Sequence, residues 1–231
     1  MTNAIIASTS TIFGEEYLEY LMPELAILFS CCETILFIPF ARPGGISHAE
    51  YTEKVKLTFE KINKKVVGLH EFEDFSEAIL NAKAIFTGGG NTFLLVKQLH
   101  DYKIMTVLSN AIKSGIPYLG CSAGSNICGV SMQTTNDMPI VYPSSFKTMG
   151  IIPFNLNPHY LDIDKNSIHN GETRETRIKE FHAFNETPVI GLREGSWLRV
   201  VNEKIVLKGK LHARFFEQNR RTVELETGYE F

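Results

Sequence analysis

A Gly-x-Ser-x-Gly pattern at positions 120–124 has the residue types and the spacing of a nucleophile elbow. In that geometry a strand ends in a sharp turn, a serine lies at the apex with its hydroxyl exposed, and a helix begins directly behind it. Ser122 is the apical serine, and the flanking glycines stand where a Cβ would clash. The first helical N–H group, that of Ala123, is available to a developing oxyanion. The pattern therefore predicts acyl transfer at Ser122.

A second glycine-rich turn, Gly88-Gly89-Gly90-Asn91, directly follows an apolar segment. We expect the backbone N–H of Gly90 to be a second oxyanion donor, because consecutive glycines let the backbone approach a reacting carbonyl closely. A turn that merely requires positive φ is the alternative. The segment lacks both the Gly-Lys-Ser/Thr ending of a phosphate loop and the spacing of a dinucleotide site. No nucleotide cofactor is expected.

A nucleophilic serine needs a base within hydrogen-bonding reach and a carboxylate that orients this base. His159 is the first histidine after Ser122, and Glu194 stands at the end of a predicted buried strand at 188–192. Asp137 lies between Ser122 and His159 in the chain, so residue order alone allows it as an alternative acid. We favour Glu194, since Asp137 lies in a polar turn, where a carboxylate would cap a helix or contact substrate.

Amino-acid composition and net charge exclude several classes of partner and site. The chain has 231 residues, 44% of them hydrophobic, and a formal net charge of −3, which argues against nucleic acid or an anionic membrane as the main partner. No signal peptide or long apolar span is recognisable, and the four cysteines have neither zinc-site nor disulfide-scaffold spacing. We expect a cytoplasmic protein without metal or cofactor. The sequence does not decide between monomer and homodimer.

Apolar runs alternate with helical patterns over the first 129 residues, and the runs lack the period-2 alternation of half-exposed strands. This order predicts a doubly wound, mainly parallel sheet flanked by helices. The carboxyl ends of parallel strands share one edge of the sheet, so both glycine-rich turns should lie there. Strands are predicted at 3–8, 34–39, 66–67, 84–87 and 117–120, and helices at 47–62, 75–81, 92–100 and 104–114.

The segments after the elbow are less regular. Residues 155–160 are predicted to be a polar loop, 171–184 a charged helix and 188–192 a buried core strand. Short strands at 197–201, 204–208, 213–217 and 222–225 are expected to form a small, peripheral, antiparallel C-terminal appendage. We therefore expect one catalytic domain over 1–231, with a core sheet carrying the site over 1–195 and peripheral strands over 196–231.

The charged helix carries Arg174 and Arg177 three residues apart, on one face. Such a helix is usually solvated. The alternative is a carboxylate clamp, because the guanidinium group is suited to bidentate recognition of a carboxylate.

Seven motifs in order, covering most of the chain, resemble those of the S51 serine peptidases, the family of the alpha-aspartyl dipeptidase called peptidase E. They are Ile38-Pro39-Phe40-Ala41, the segment 88–93, Gly-x-Ser-Ala-Gly at 120–124, the segment 134–140, Asn157-Pro158-His159, the segment 171–175 and Gly191-Leu192-x-Glu194-Gly195. The resemblance implies a class I glutamine-amidotransferase-like fold and hydrolysis of dipeptides with N-terminal aspartate. Arg193 departs from the pattern, which has proline there, and the loop at 160–170 is one residue longer.

The resemblance also implies roles for individual residues. Ser122 would be the nucleophile, His159 the general base and Glu194 the acid that orients it. The remaining implied residues are the oxyanion donors Gly90 and Ala123, the substrate-binding Asn91, and Arg174 as partner of the aspartyl side chain. A serine carboxylester hydrolase and a non-catalytic amidotransferase-like binding protein are the alternative functions.

Overall fold

The computed structural model describes residues 1–163 and 171–231. Within these residues the chain forms eleven β-strands and seven α-helices. The strands are β1 Asn3–Ala7, β2 Thr34–Ile38, β3 Lys65–Gly68, β4 Ile85–Thr87, β5 Tyr118–Cys121, β6 Asn155–Pro158, β7 Val189–Leu192, β8 Ser196–Val201, β9 Lys204–Gly209, β10 Ala213–Phe216 and β11 Val223–Leu225. The helices are α1 Met22–Leu28, α2 His48–Glu60, α3 Phe75–Asn81, α4 Thr92–Asp101, α5 Met105–Lys113, α6 Ala123–Asn126 and α7 Arg174–His182.

A seven-stranded sheet in the order β3-β2-β4-β5-β1-β8-β9 forms the centre of the fold. The first five of these strands are mutually parallel, as predicted, and β4 and β5 are neighbours. The two glycine-rich turns therefore follow adjacent strands at one edge of the sheet. None of the helices in the described part of the chain has the length and apolar composition needed to cross a membrane.

The parallel strands are buried on both faces, which explains their unbroken apolar sequence. Ile5 and Phe37 belong to the apolar cluster that contains α1 and α2, whereas Ile6 and Ile38 face the cluster of α3, α4 and α5. Each of these four side chains has no solvent exposure, and burial of one such side chain contributes about 1.5–3 kcal/mol. Helices thus cover both sheet faces, as expected for a doubly wound arrangement.

A second, four-stranded sheet has the order β11-β10-β7-β6. It is mixed, because β6 and β7 are parallel whereas β10 is antiparallel to both of its neighbours. Two predictions are wrong here: β7 is outside the main sheet, and β6 is a strand where a polar loop was expected. The buried Asn155 and Asn157 explain the second error, since their side chains bond to the backbone of Ser131 and Thr134, so a polar sequence is stable in a buried strand.

The prediction that all strands after residue 195 are peripheral is wrong for β8. This strand lies inside the main sheet, antiparallel to both β1 and β9. A tight turn, closed by the hydrogen bond from the Ser196 N–H to the Arg193 carbonyl at 3.0 Å, carries the chain from β7 in one sheet into β8 in the other. A strand sequence shows which residues are buried but not which strand lies beside it, so this crossing has no local signature. Most of the loop expected to be longer than usual, including His169, lies outside the described residues.

Candidate active site

The elbow predicted at 120–124 is present. Ser122 has φ 54° and ψ −109°, a conformation that non-glycine residues adopt rarely and at a cost of about 1–3 kcal/mol. Its N–H donates to the Ala7 carbonyl at 3.1 Å. At Gly124, an added Cβ would stand 2.2 Å from the Thr87 carbonyl oxygen, so only glycine lets α6 begin this close to β4. Tight packing of α6 therefore holds the serine at the apex.

Ser122, His159 and Glu194 form one hydrogen-bonded chain. His159 Nε2 lies 3.0 Å from Ser122 Oγ, and Nδ1 lies 2.7 Å from Glu194 Oε1. A carboxylate only accepts hydrogen bonds, so Nδ1 carries the ring proton and Nε2 is free to accept the serine proton. The side chains of His159 and Glu194 are 39% and 47% exposed, which leaves the site open to a substrate from solvent.

Two parallel strands bring His159 and Glu194 together. Pro158 of β6 pairs with Leu192 of β7 at the carboxyl ends of these strands. His159 follows the first of these residues directly, and Glu194 follows the second by two positions. Residue types and their order predict these two positions, whereas nothing local in the sequence predicts the sheet that joins them.

His159 itself has a left-handed backbone, with φ 53°. Its N–H donates to Ser8 Oγ at 2.9 Å, and the carbonyl of Pro158 accepts a 2.6 Å hydrogen bond from Asn136 Nδ2. The next N–H group, of Tyr160, donates to the Leu192 carbonyl at 3.0 Å. Sequence reasoning missed Ser8 and Asn136. The available signal was their position: Ser8 is the last residue of the strand predicted at 3–8, and Asn136 lies within the 134–140 motif.

The Gly88–Gly90 turn lies against the elbow, because an added Cβ on Gly89 would stand 3.1 Å from Ser122 Cβ. Gly90 has φ +149°, and its Cβ would meet the Ala41 carbonyl oxygen at 2.2 Å, so this position requires glycine. Within the described residues, the N–H groups of Gly90 and Ala123 donate to no protein acceptor. The two N–H groups that we expect to bind the oxyanion therefore have no acceptor among the described residues.

The side chain of Asp137, the alternative acid, bonds to the start of helix α4. Its Oδ2 accepts from the Thr92 N–H at 2.7 Å and from Thr135 Oγ1 at 3.2 Å, so it caps the first turn of α4. Asn91, expected to bind substrate, caps the same helix through the Leu94 N–H at 3.0 Å. Its amide nitrogen donates to the Met138 carbonyl at 2.9 Å. These two side chains fix the 134–140 segment against the start of α4.

Arg174 is the first residue of α7 and is half-buried. Burial lowers the pKa of its guanidinium from the ordinary value, the charge of Arg177 lowers this pKa further, and the nearby Asp137 raises it. The guanidinium is therefore a partly desolvated cation on the same side as the capped start of α4. Such a group favours an anionic partner.

Arg193, at the position where the resemblance led us to expect proline, joins the segments that carry Glu194 and His159. It donates two hydrogen bonds to Asp162, at 2.7 and 2.9 Å, and also bonds to Glu224. The Arg193 guanidinium lowers the pKa of the Asp162 carboxyl from its usual range. An ion pair between Arg193 and Asp162 thus links the residues around Glu194 to those that follow His159.

Within residues 1–163 and 171–231, no group of three or more His, Cys, Asp and Glu side chains is arranged to hold a metal ion.

The chain is similar to known proteins over nearly its whole length. The model of peptidase family S51 matches residues 4–208. The "Probable alpha-aspartyl dipeptidase" of Drosophila melanogaster is 42% identical over 226 residues, which cover 96% of this chain and 93% of that protein. "Peptidase E" of Streptomyces coelicolor is also 42% identical over 226 residues, with 98% and 92% covered.

Among solved structures, a peptidase from an acI-B1 Actinobacterium superposes with a TM-score of 0.71. The match covers 100% of this chain and 96% of that one, at 17% sequence identity. At this identity the likeness concerns the fold alone.

Proposed function

Since the chain belongs to peptidase family S51, we propose that it is a serine dipeptidase that hydrolyses dipeptides with N-terminal aspartate through an acyl-enzyme on Ser122. The observation that carries the proposal is the hydrogen-bonded chain from Ser122 through His159 to Glu194, with contacts of 3.0 and 2.7 Å. A free serine hydroxyl is a poor nucleophile, and this arrangement supplies the base and the orienting carboxylate that it needs.

In the first half of the reaction, Ser122 Oγ attacks the carbonyl carbon of the aspartyl residue while His159 Nε2 accepts the hydroxyl proton. Glu194, beside Nδ1, stabilises the imidazolium that results. The negative charge on the carbonyl oxygen is stabilised by the N–H groups of Gly90 and Ala123, and each such donor contributes about 3 kcal/mol to the transition state.

Collapse of this intermediate breaks the C–N bond, and His159 gives its proton to the leaving amine. The aspartyl group remains as an ester on Ser122. A water molecule then attacks the ester carbon, with His159 as base, and aspartate leaves with Ser122 regaining its proton.

Arg174 is proposed to bind the aspartyl side chain. Its pKa is lowered by burial, so the cation has lost part of its hydration and gains more from a carboxylate than a fully solvated arginine does. Asp137 and Asn91 would contribute by holding the 134–140 segment beside it, since both are occupied with capping α4. A neutral side chain in the substrate would leave the half-buried guanidinium unpaired, which is costly.

A panel of Asp-Leu, Asn-Leu and Ala-Leu with an aryl acetate tests this function. We expect kcat/KM for Asp-Leu to exceed that for the two neutral dipeptides by roughly 10²-fold or more. Equal rates on all three dipeptides would refute the proposed specificity, and rapid turnover of the aryl acetate alone would identify an ester hydrolase. No turnover and no labelling of Ser122 by a fluorophosphonate would support the binding-protein alternative.

Two further parts of the proposal concern setting and architecture. We propose a cytoplasmic location, because Cys31, Cys32, Cys121 and Cys128 are all free thiols, as is typical of reducing compartments. We also propose that the fold is class I glutamine-amidotransferase-like, since the elbow follows a central strand of a doubly wound sheet.

A further inference from the structure

We propose that Ser8 is a positioning residue that holds His159 and Glu194 in line with Ser122. The inference rests on the proposed function, because it assigns a role within the same triad. Ser8 directly follows β1, and its hydroxyl bonds to the backbone of the segments that carry His159 and Glu194 and not to their side chains.

Ser8 has no solvent exposure, and its hydroxyl makes two hydrogen bonds. Oγ accepts from the His159 N–H at 2.9 Å and donates its single proton to the Leu192 carbonyl at 2.8 Å. Its own N–H donates to the Ser196 carbonyl at 3.0 Å. One small side chain therefore connects the end of β1 to the ends of β6 and β7, just before Glu194.

Ala7, the residue before Ser8, holds the elbow that carries Ser122 through its backbone carbonyl. Its carbonyl accepts from the Ser122 N–H at 3.1 Å and from the hydroxyl of Ser125. The last residue of β1 and the residue that follows it thus fix the elbow on one side and the histidine on the other. This explains how side chains from two different sheets come within 3.0 Å of each other.

The His159 backbone needs such a restraint. Its φ of 53° is an uncommon conformation for a non-glycine residue and persists only where surrounding contacts hold it. Without the Ser8 hydroxyl, the His159 N–H loses its acceptor and the Leu192 carbonyl loses a donor. The peptide can then rotate, and the imidazole moves relative to both Ser122 and Glu194.

The test compares Ser8→Ala with a matched variant, Ser109→Ala. Ser109 is also buried, and its hydroxyl donates a single 2.7 Å hydrogen bond to the Met149 carbonyl, with no bond to a residue of the triad. For both variants and the wild type, kcat and KM on Asp-Leu, the rate of fluorophosphonate labelling of Ser122, and the melting temperature are measured. Ser8→Thr, which keeps the hydroxyl, is the conservative variant for rescue.

We expect Ser8→Ala to lower kcat and the labelling rate together by roughly 10–100-fold, because displacement of a catalytic group by about 1 Å has effects of this size. KM should stay within about twofold of the wild type, since Ser8 is fully buried and therefore out of reach of a substrate that binds from solvent. Ser109→Ala should lose stability but keep wild-type kinetics, and Ser8→Thr should recover most of the loss. A purely structural role for Ser8 would instead make the two alanine variants kinetically alike.

A second readout is the proton NMR signal of His159 Nδ1–H, which the short hydrogen bond to Glu194 shifts downfield; its loss in His159→Gln assigns it. We expect this signal in the wild type and Ser109→Ala, and its loss or marked shift in Ser8→Ala. If Ser8→Ala is folded and keeps wild-type kcat and labelling, the role of Ser8 is refuted while the proposed function stands. If the wild type neither hydrolyses Asp-Leu nor reacts with the probe, the proposed function fails, and the NMR signal alone tests the role of Ser8. An unchanged signal in Ser8→Ala would then refute the positioning role. Loss of the signal in Ser8→Ala would support it.

Discussion

Glu194→Gln should lower kcat on Asp-Leu by roughly 10²–10³-fold. The substitution keeps the shape of the side chain but removes the charge that stabilises the imidazolium. If the amide NH₂ group faces His159, it also favours the tautomer with the proton on Nε2, which cannot accept the Ser122 proton. In a buried triad the corresponding acid-to-amide change costs about 10⁴-fold. The expected loss is smaller here, because the His159 and Glu194 side chains are 39% and 47% exposed, so water screens the charge and solvates the imidazolium.

The matched variant is Asp137→Asn, which also exchanges a carboxylate for an amide. Its oxygen can still accept from the Thr92 N–H, so the cap on α4 is kept in part. We expect kcat within about tenfold of the wild type, with the main change in KM through the lost charge near Arg174. The two variants are compared by their initial rates on Asp-Leu at saturating substrate, and circular dichroism verifies that both are folded. A larger loss of kcat in folded Asp137→Asn than in folded Glu194→Gln would refute the assignment of Glu194.

Three further predictions concern packing, specificity and pH. Gly124→Ala should lower the free energy of unfolding by roughly 2–4 kcal/mol, because its Cβ would stand 2.2 Å from a backbone oxygen, whereas Gly44→Ala, with no atom within 4 Å, should be neutral in a urea titration. Arg174→Ala should lower kcat/KM for Asp-Leu by roughly 10²-fold without affecting Ala-Leu, and the control Arg177→Ala should not reduce this selectivity. The pKa of Asp162 is lowered in the folded state by its arginine partner, so its stabilising effect is complete above its unfolded pKa of about 3.9 and is lost as the pH falls through the folded pKa. Asp162→Asn should therefore be less stable than the wild type at neutral pH but lose less of its melting temperature between about pH 6 and pH 3, and parallel pH profiles of the two proteins would contradict this.

Local sequence patterns are sufficient to predict the parallel strands of the main sheet and the two glycine-rich turns. The unbroken apolar runs that become β1, β2 and β4 are buried on both faces, and Gly90, Gly120 and Gly124 stand where backbones approach closely. These patterns are local in sequence, even though the atoms that the glycines approach, such as the carbonyls of Ala41 and Thr87, lie elsewhere in the chain. Ser122 belongs to the same local pattern, since it stands between Gly120 and Gly124 at the elbow.

The second sheet could not be predicted in this way, because its signals are distant in the chain. β6 is stable as a strand only because loop residues 131–136 satisfy its asparagines, and β8 joins β1 across nearly the whole chain. Ser8 illustrates the same limit at the site: a serine after a strand is common, and its importance depends on contacts with His159 and Leu192 more than 150 residues away. Residue types suggested the triad, whereas the means of holding it required the tertiary structure.

The central claim is that Ser122 is the nucleophile of an Asp-X dipeptidase. The most direct measurement is the rate of Asp-Leu hydrolysis by Ser122→Ala and by the wild type, prepared identically and verified as folded. We expect the wild type to hydrolyse Asp-Leu and Ser122→Ala to be slower by about 10⁶-fold in kcat. Hydrolysis of Asp-Leu by Ser122→Ala at a rate comparable to that of the wild type would contradict it.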